Sequence, residues 1–258
     1  MQKNNGIKIR NLNIYYKNNR KSDFSALHNI NLDIPKNHIT IIMGPSGSGK
    51  TTLLKSLNRL HSINNGVKVS GKVIIDGEDI YHPMHLLPEL RRKVGLISQK
   101  PIPLPLSIYE NVAYGPKIHN RLNRKESDVI VEKVLKKVNL WEEVKDRLNQ
   151  PAADLSVGQQ QRLSIARAIA INPDILLCDE ITSALDPISS EKVEHLLLSL
   201  KEEYTIVLVS HMLRQVKRLG GYVIFLYMGK VLEQGNMEEL FNSPRNKITQ
   251  QYIKGVIS

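Results

Sequence analysis

The chain has 258 residues, 41% hydrophobic and 24% charged, with a formal net charge of +11. That length buries a sizeable core, as one large domain or two small ones, and the composition is ordinary for a globular protein. No run approaches the ~20 continuous apolar residues that span a bilayer, and the single cysteine, Cys178, excludes an intrachain disulfide.

The amino-terminal stretch Met1 to Gly6 is polar and lacks the apolar core of a signal segment. The chain is therefore expected in the cytosol or, through partners, on the cytoplasmic face of a membrane. Its positive charges are scattered, as in Arg91-Arg92-Lys93 and Lys136-Lys137, with three Phe and one Trp to stack on bases. This reads as a solvated basic surface before a nucleic-acid footprint, and no nucleic-acid partner is expected. Anionic lipid headgroups would suit the same charge.

Residues 7–43 read as strands separated by polar turns. Ile7-Lys8-Ile9, Leu12 to Tyr15 and Ile30 to Ile34 alternate with period two, and Pro35 to Asn37 is a turn. Ile39 to Met43 is a short apolar strand. It feeds Gly44-Pro45-Ser46-Gly47-Ser48-Gly49-Lys50-Thr51, which fits the phosphate-binding loop G-x-x-x-x-G-K-[ST] at every fixed position. Thr52 to Leu60 reads as the helix that follows. Such a loop offers backbone N–H groups and a helix N-terminus to an anion. Lys50 would reach the β- and γ-phosphates, the Thr51 hydroxyl would ligate magnesium, and Thr52 closes the nucleotide-binding set.

Val67 to Ile75 is another alternating run, closed by the turn signal Asp76-Gly77. Met84 to Pro105 holds Pro88, Pro101, Pro103 and Pro105, and is expected to contain neither regular helix nor central strand. From about Ser107 to Ala170 the spacing turns helical, with Val131, Val134, Leu135 and Val138 on one face. Asp174 to Cys178 is a buried strand in which Cys178 reads as a small core residue. Pro187 to Leu200 is a helix, Tyr204 to Val209 a strand, Met212 to Leu219 a short helix and Tyr222 to Met228 a strand. Two short helical stretches follow Asn236. The alternation predicts an α/β core with a parallel sheet.

The strand from Asp174 ends in Asp179-Glu180. Alone, that is a strand closing in two surface acids. Beside a phosphate loop, Asp179 is expected near the magnesium held by Thr51, and Glu180 can act as general base on the attacking water.

Leu155-Ser156-Val157-Gly158-Gln159-Gln160-Gln161-Arg162 resembles the LSGGQ signature of ATP-binding cassette (ABC) ATPases. Other motifs of that family follow in order. Tyr16 resembles the aromatic that stacks on adenine, with Tyr15 its neighbouring competitor. Gln99 resembles the Q-loop glutamine, Ser183-Ala184-Leu185-Asp186 the D-loop, and His211 the switch histidine. Taken singly, Gln99 reads as a loop glutamine and His211 as a helix N-terminal residue after Ser210.

The resemblance implies an α/β P-loop NTPase of ABC ATPase type, with a mixed sheet core, an antiparallel β subdomain and a helical subdomain. Residues 1–258 would form one domain. Within it, 1–98 and 171–258 would be the core with its β subdomain, and 99–170 the Q-loop and helical subdomain. It implies ATP and Mg2+ as cofactors, Gln99 as a sensor of magnesium and water, and His211 on the γ-phosphate. It also implies a head-to-tail pairing of two copies, which would bring Ser156, Gly158, Gln159 and Asp186 of one to the nucleotide of the other. Val157 replaces a glycine of the signature and Ile181 stands where proline is common; a helical φ at Val157 would make valine tolerable there.

A finer resemblance is to the ATP-binding subunits of bacterial phosphate importers. It rests on Leu57 to Leu60, Gln99 to Pro116, Gln159 to Leu163, Thr182 to Ser189 and the ending Tyr252-Ile253-Lys254-Gly255. It implies membrane permease partners and, indirectly, a solute-binding protein. The rival readings are an importer for another solute, a soluble ABC ATPase acting on nucleic acid or cofactor assembly, and a non-catalytic nucleotide-binding module.

Overall fold

Strand β1 (Ile7–Tyr16) pairs antiparallel with β2 (Phe24–Ile34) on one side and β4 (Val67–Ile75) on the other, and β5 (Glu78–Asp79) closes this four-stranded sheet. The computed structural model describes residues 6–17, 24–63, 66–120 and 122–257. The polar stretch read against a signal segment lies, up to Asn5, outside the described residues. The two short strands expected before Tyr16 are one strand: at Asn11, φ +50, the register shifts and the chain continues. Asparagine tolerates that left-handed backbone better than most residues, so a polar dipeptide makes a bulge here rather than a turn.

The second sheet has six strands in the order β10-β9-β3-β8-β7-β6, from β3 (Ile39–Met43), β6 (Val94–Ile97), β7 (Ile175–Asp179), β8 (Thr205–Val209), β9 (Tyr222–Tyr227) and β10 (Lys230–Asn236). All neighbours are parallel except β9 and β10. Both faces are covered, which is why these strands read as near-continuous apolar runs. Ile41, Leu176, Cys178, Leu208 and Phe225 pack on one face against the helical part of the chain. Ile42, Leu177, Val207, Val209 and Ile224 pack on the other against the antiparallel sheet and α1 (Lys50–Ser56).

Two sequence expectations need correction, and one strand went unread. The helix after the phosphate loop starts at Lys50 and ends at Ser56, short of Leu60, because the chain turns at Arg59 with φ +53. The proline-rich segment, expected to hold no regular helix, contains α2 (Leu87–Lys93); strand β6 also falls in it but lies at the edge of its sheet, so the expectation of no central strand stands. Pro88 lies in the first helical turn, where a missing N–H costs little, and the other three prolines come only after β6 has ended. Strand β10 had no expectation at all: its half-exposed, glycine-containing run KVLEQGN carries little apolar signal.

The helical part comprises α3 (Ile108–Asn120), α4 (Arg124–Lys137), α5 (Trp141–Val144) and α6 (Val157–Ile169). Beyond β7 come α7 (Pro187–Leu200), α8 (Leu213–Leu219), α9 (Met237–Asn242) and α10 (Lys247–Ile253). One ion pair ties α5 to α6. The Arg162 guanidinium, with its side chain 7% exposed, donates to both carboxylate oxygens of Glu143 at 2.8 and 2.9 Å and also to the Asn139 carbonyl. The Arg162 hydrogen bonds hold the Glu143 carboxyl below the usual carboxylate range. A buried guanidinium without its counter-charge is costly, and water at the half-open carboxylate end offsets part of that. Glu143→Gln is therefore expected to cost about 2 kcal/mol at neutral pH. Because the folded value is depressed, this contribution is complete above the ordinary glutamate pKa and disappears as pH falls through the folded one. Urea unfolding of both proteins at neutral and acid pH checks it: the gap should close in acid.

Candidate functional site

The phosphate loop lies at the carboxyl ends of the parallel strands, where open α/β sheets place their ligands. Two of its glycines are required by space. At Gly44, φ +150, a Cβ would lie 2.0 Å from the Leu226 carbonyl oxygen; at Gly49, φ +99, the left-handed cap of α1, it would lie 2.8 Å from that of Ala26. The backbone therefore runs closer to its neighbours than any side chain permits.

Lys50 opens α1 and folds back over the loop, donating from its ammonium to the carbonyls of Gly44 (2.8 Å) and Pro45 (2.9 Å). Burial lowers its pKa, opposed by Glu180 and Asp179. The Ser48 hydroxyl is buried and has no hydrogen-bond partner among the described residues. The Thr51 hydroxyl donates to Asp179 Oδ1 at 2.9 Å, and Lys55 Nζ lies 3.9 Å from Oδ2. Burial pushes the Asp179 carboxyl up, and the Thr51 hydrogen bond pulls it back.

Glu180 follows at the end of β7 with φ +49, a conformation uncommon outside glycine and asparagine. Its N–H donates to the Val209 carbonyl at 3.2 Å. Its carboxylate oxygen Oε2 accepts from Gln99 Nε2 at 3.4 Å and lies 3.3 Å from His211 Nδ1. Gln99 Nε2 also donates to the Ser183 hydroxyl at 3.1 Å. His211 stands in the extended segment between β8 and α8, where the Ser210 hydroxyl accepts from the Met212 N–H. Three loops from different strands thus converge on one carboxylate.

A cleft of about 410 Å³ opens over the loop, lined by Tyr16, Phe24, Ala26, Ser46, Gly47, Gly49, Lys50, Thr51, Thr52 and Glu180. Tyr16, not Tyr15, faces it. Phe24, 61% exposed and the cross-strand neighbour of Tyr16, was missed from sequence. Counting back in twos from Ile34 fails at Asn29, whose φ of +47 marks a bulge and changes the face of every earlier residue.

Ser156, Gly158, Gln159 and Asp186 do not line that cleft. Ser156 caps α6 in a capping box with Gln159, and the Gln159 amide also donates to Glu143 Oε2 at 2.8 Å. Val157 is the first residue of α6, so its backbone is helical and the β-branched side chain, 49% exposed, carries no left-handed strain. A Cβ on Gly158 would meet the Ser189 hydroxyl at 2.6 Å, which makes this glycine a packing requirement between α6 and α7. Asp186 caps α7 by accepting from Ser189 N–H at 3.0 Å, and those hydrogen bonds hold its carboxyl below the usual range. Ile181 is buried.

The family model for ABC transporter matches residues 27–183. The chain is 49% identical over 249 residues, 96% of this chain and 94% of the relative, to the phosphate import ATP-binding protein PstB of Borreliella afzelii (strain PKo). The protein of the same name from Borreliella burgdorferi is 48% identical over the same shares. Among solved structures, a dimeric post-hydrolysis state of an ATP-binding cassette bound to ADP and Pi is similar with a TM-score of 0.77 and 34% identity, over 90% of this chain and 98% of that one. The structure of cbiO1 from Clostridium perfringens, part of an ABC transporter complex, gives 0.79 and 27%, over 93% and 92%.

Proposed function

The chain belongs to the ABC transporter family, and on that premise we propose that it is the ATP-hydrolysing subunit that powers phosphate import through a membrane transporter. The observation that carries the enzymatic part is the Glu180 carboxylate, held by Gln99 and His211 beside the phosphate loop.

The residues present fit the substrate. Tyr16 and Phe24 offer aromatic surface to a base, and the glycine-built loop offers N–H donors to phosphate oxygens. The partnerless Ser48 hydroxyl is a further donor inside the loop. Lys50, held on two carbonyls, needs only to turn to place its charge on the β- and γ-phosphates.

They also fit Mg2+. Thr51 and Asp179 are hard oxygen donors 2.9 Å apart, and no larger cluster of acidic or histidine ligands accompanies them among the described residues. Magnesium favours this sparse donor set, with phosphates and water completing its shell. Bound there, it neutralises charge on the phosphate chain.

Glu180 takes the proton of the attacking water. Its left-handed backbone turns the carboxylate off the strand axis, while Gln99 and His211 restrict its orientation. His211 is then within reach of the terminal phosphate. Ser156 and the amino-terminal end of α6, outside the cleft of their own chain, would serve the nucleotide of a second copy in a head-to-tail dimer. Asp186 and the packing of Gly158 on Ser189 would shape that interface. Among the described residues no helix is long and apolar enough to cross a membrane. Attachment to the cytoplasmic face would therefore come through permease subunits, and a solute-binding protein would act through them.

The test is ATP hydrolysis by membranes containing this chain and its permease subunits, with and without phosphate and its binding protein. Hydrolysis stimulated by phosphate is the expected result. Hydrolysis indifferent to phosphate would remove the solute and keep the ATPase, whereas steeply salt-dependent DNA binding would move the chain toward nucleic acid.

A further inference from the structure

The carboxyl-terminal motif Tyr252-Ile253-Lys254-Gly255 has no part in the chemistry described so far. Its tyrosine nevertheless reaches the phosphate loop across the fold. Tyr252, on α10, is 5% exposed and packs its ring on Phe225 of β9 at 5.1 Å between centroids. Its hydroxyl donates to the Gly44 carbonyl at 3.2 Å in a buried setting. That carbonyl is one of the two that hold the Lys50 ammonium. It therefore accepts two donors, one fixed by the core and one on a flexible stem.

From this we propose that Tyr252 is a positioning residue for nucleotide binding, which keeps the Gly44 carbonyl satisfied when Lys50 leaves it for the phosphates. The inference rests on the ATPase reading above. A buried carbonyl that loses its only donor carries a desolvation cost, and that cost would oppose every Lys50 departure. With the Tyr252 hydroxyl in place, Lys50 exchanges one anionic or dipolar partner for another and leaves no orphan at Gly44. The Pro45 carbonyl, on a half-exposed residue, keeps the Ser48 N–H as a donor at 3.2 Å. Two further contacts keep the Gly44 region from following the lysine. The Gly229 N–H donates to the Ser48 carbonyl at 3.0 Å, and the chain at Gly44 lies too close to Leu226 to move inward. Tyr252 also lines a cavity of about 320 Å³ with Gly44, Ser46, Glu180 and His211, and it is not among the residues that line the cleft over the loop.

The experiment is Tyr252→Phe in the full chain, which keeps the ring on Phe225 and removes only the hydroxyl. ATP affinity is read by calorimetry, KM and kcat by hydrolysis, and the fold by thermal unfolding. The expected result is an ATP Kd and KM raised about tenfold, with kcat within about twofold and the melting temperature nearly unchanged. An unchanged Kd would overturn the proposal. So would a fall in kcat and melting temperature that accompanies the weaker binding, because that pattern belongs to a general prop of the fold. The wild-type chain run in parallel separates the two claims: if it binds no ATP, the ATPase reading itself fails.

Discussion

Glu180→Gln should lower ATP turnover about a thousandfold and leave ATP binding in place, the scale expected when a general base is removed. Glutamine keeps the size of the side chain and can still meet Gln99 and His211 after its amide rotates, so the cleft retains its shape. What disappears is the group proposed to accept the water's proton. In the proposed mechanism the phosphate contacts would come from Lys50, the loop N–H groups and the Thr51–Asp179 pair, none of which hydrogen-bonds the Glu180 carboxylate. Single-turnover hydrolysis beside equilibrium ATP binding distinguishes the outcomes. Turnover within tenfold of wild type would mean that another group takes the proton; lost binding would mean that Glu180 shapes the loop rather than the chemistry.

Gly44→Ala should damage both the fold and the site. The added methyl would sit 2.0 Å from the Leu226 carbonyl oxygen, a backbone atom in the central sheet that has no rotamer to change. Together with a φ of +150, this overpacking is expected to cost about 3 kcal/mol, and the displaced loop to weaken ATP binding by at least about tenfold. Gly47→Ala is the informative comparison. That glycine also has positive φ, +76, but a Cβ there meets nothing within 4 Å. Its stability cost without nucleotide should be only about 1 kcal/mol, from backbone strain alone. Thermal unfolding of both variants separates close approach from torsional freedom as the reason for each glycine. Equal losses would contradict the tight contact at Leu226.

Much of this site was legible because its residues sit in local patterns that chemistry restricts. The phosphate loop and its strand, the Asp179-Glu180 ending of a buried run, and the strand before His211 could each be read from neighbours alone. Tyr16 over Tyr15 could not, since the pairing of the strand shifts register again between Ile14 and Tyr15, where the alternation would have to decide. The same defect at Asn29 concealed Phe24. The proline-rich segment misled for a different reason. Proline density was counted over twenty-odd residues, whereas its effect depends on single positions: Pro88 in a first helical turn disturbs nothing. The hydroxyl of Tyr252 on Gly44 lies beyond any sequence reading, because it joins residues 208 positions apart.

Cys178, buried at the end of β7, has a consequence for how this protein can be observed. It is the only cysteine of the chain, its thiol is fully covered, and burial pushes its pKa up to about 12. At neutral pH almost no thiolate exists and no reagent reaches the sulfur without opening the sheet. A cysteine placed on the rim of the cleft or on the exposed end of α6 would thus be the sole labelling point in the folded chain. Fluorescent or spin probes could follow the approach of two copies in the wild-type background, and slow labelling of Cys178 would time the opening of the central sheet in the same sample.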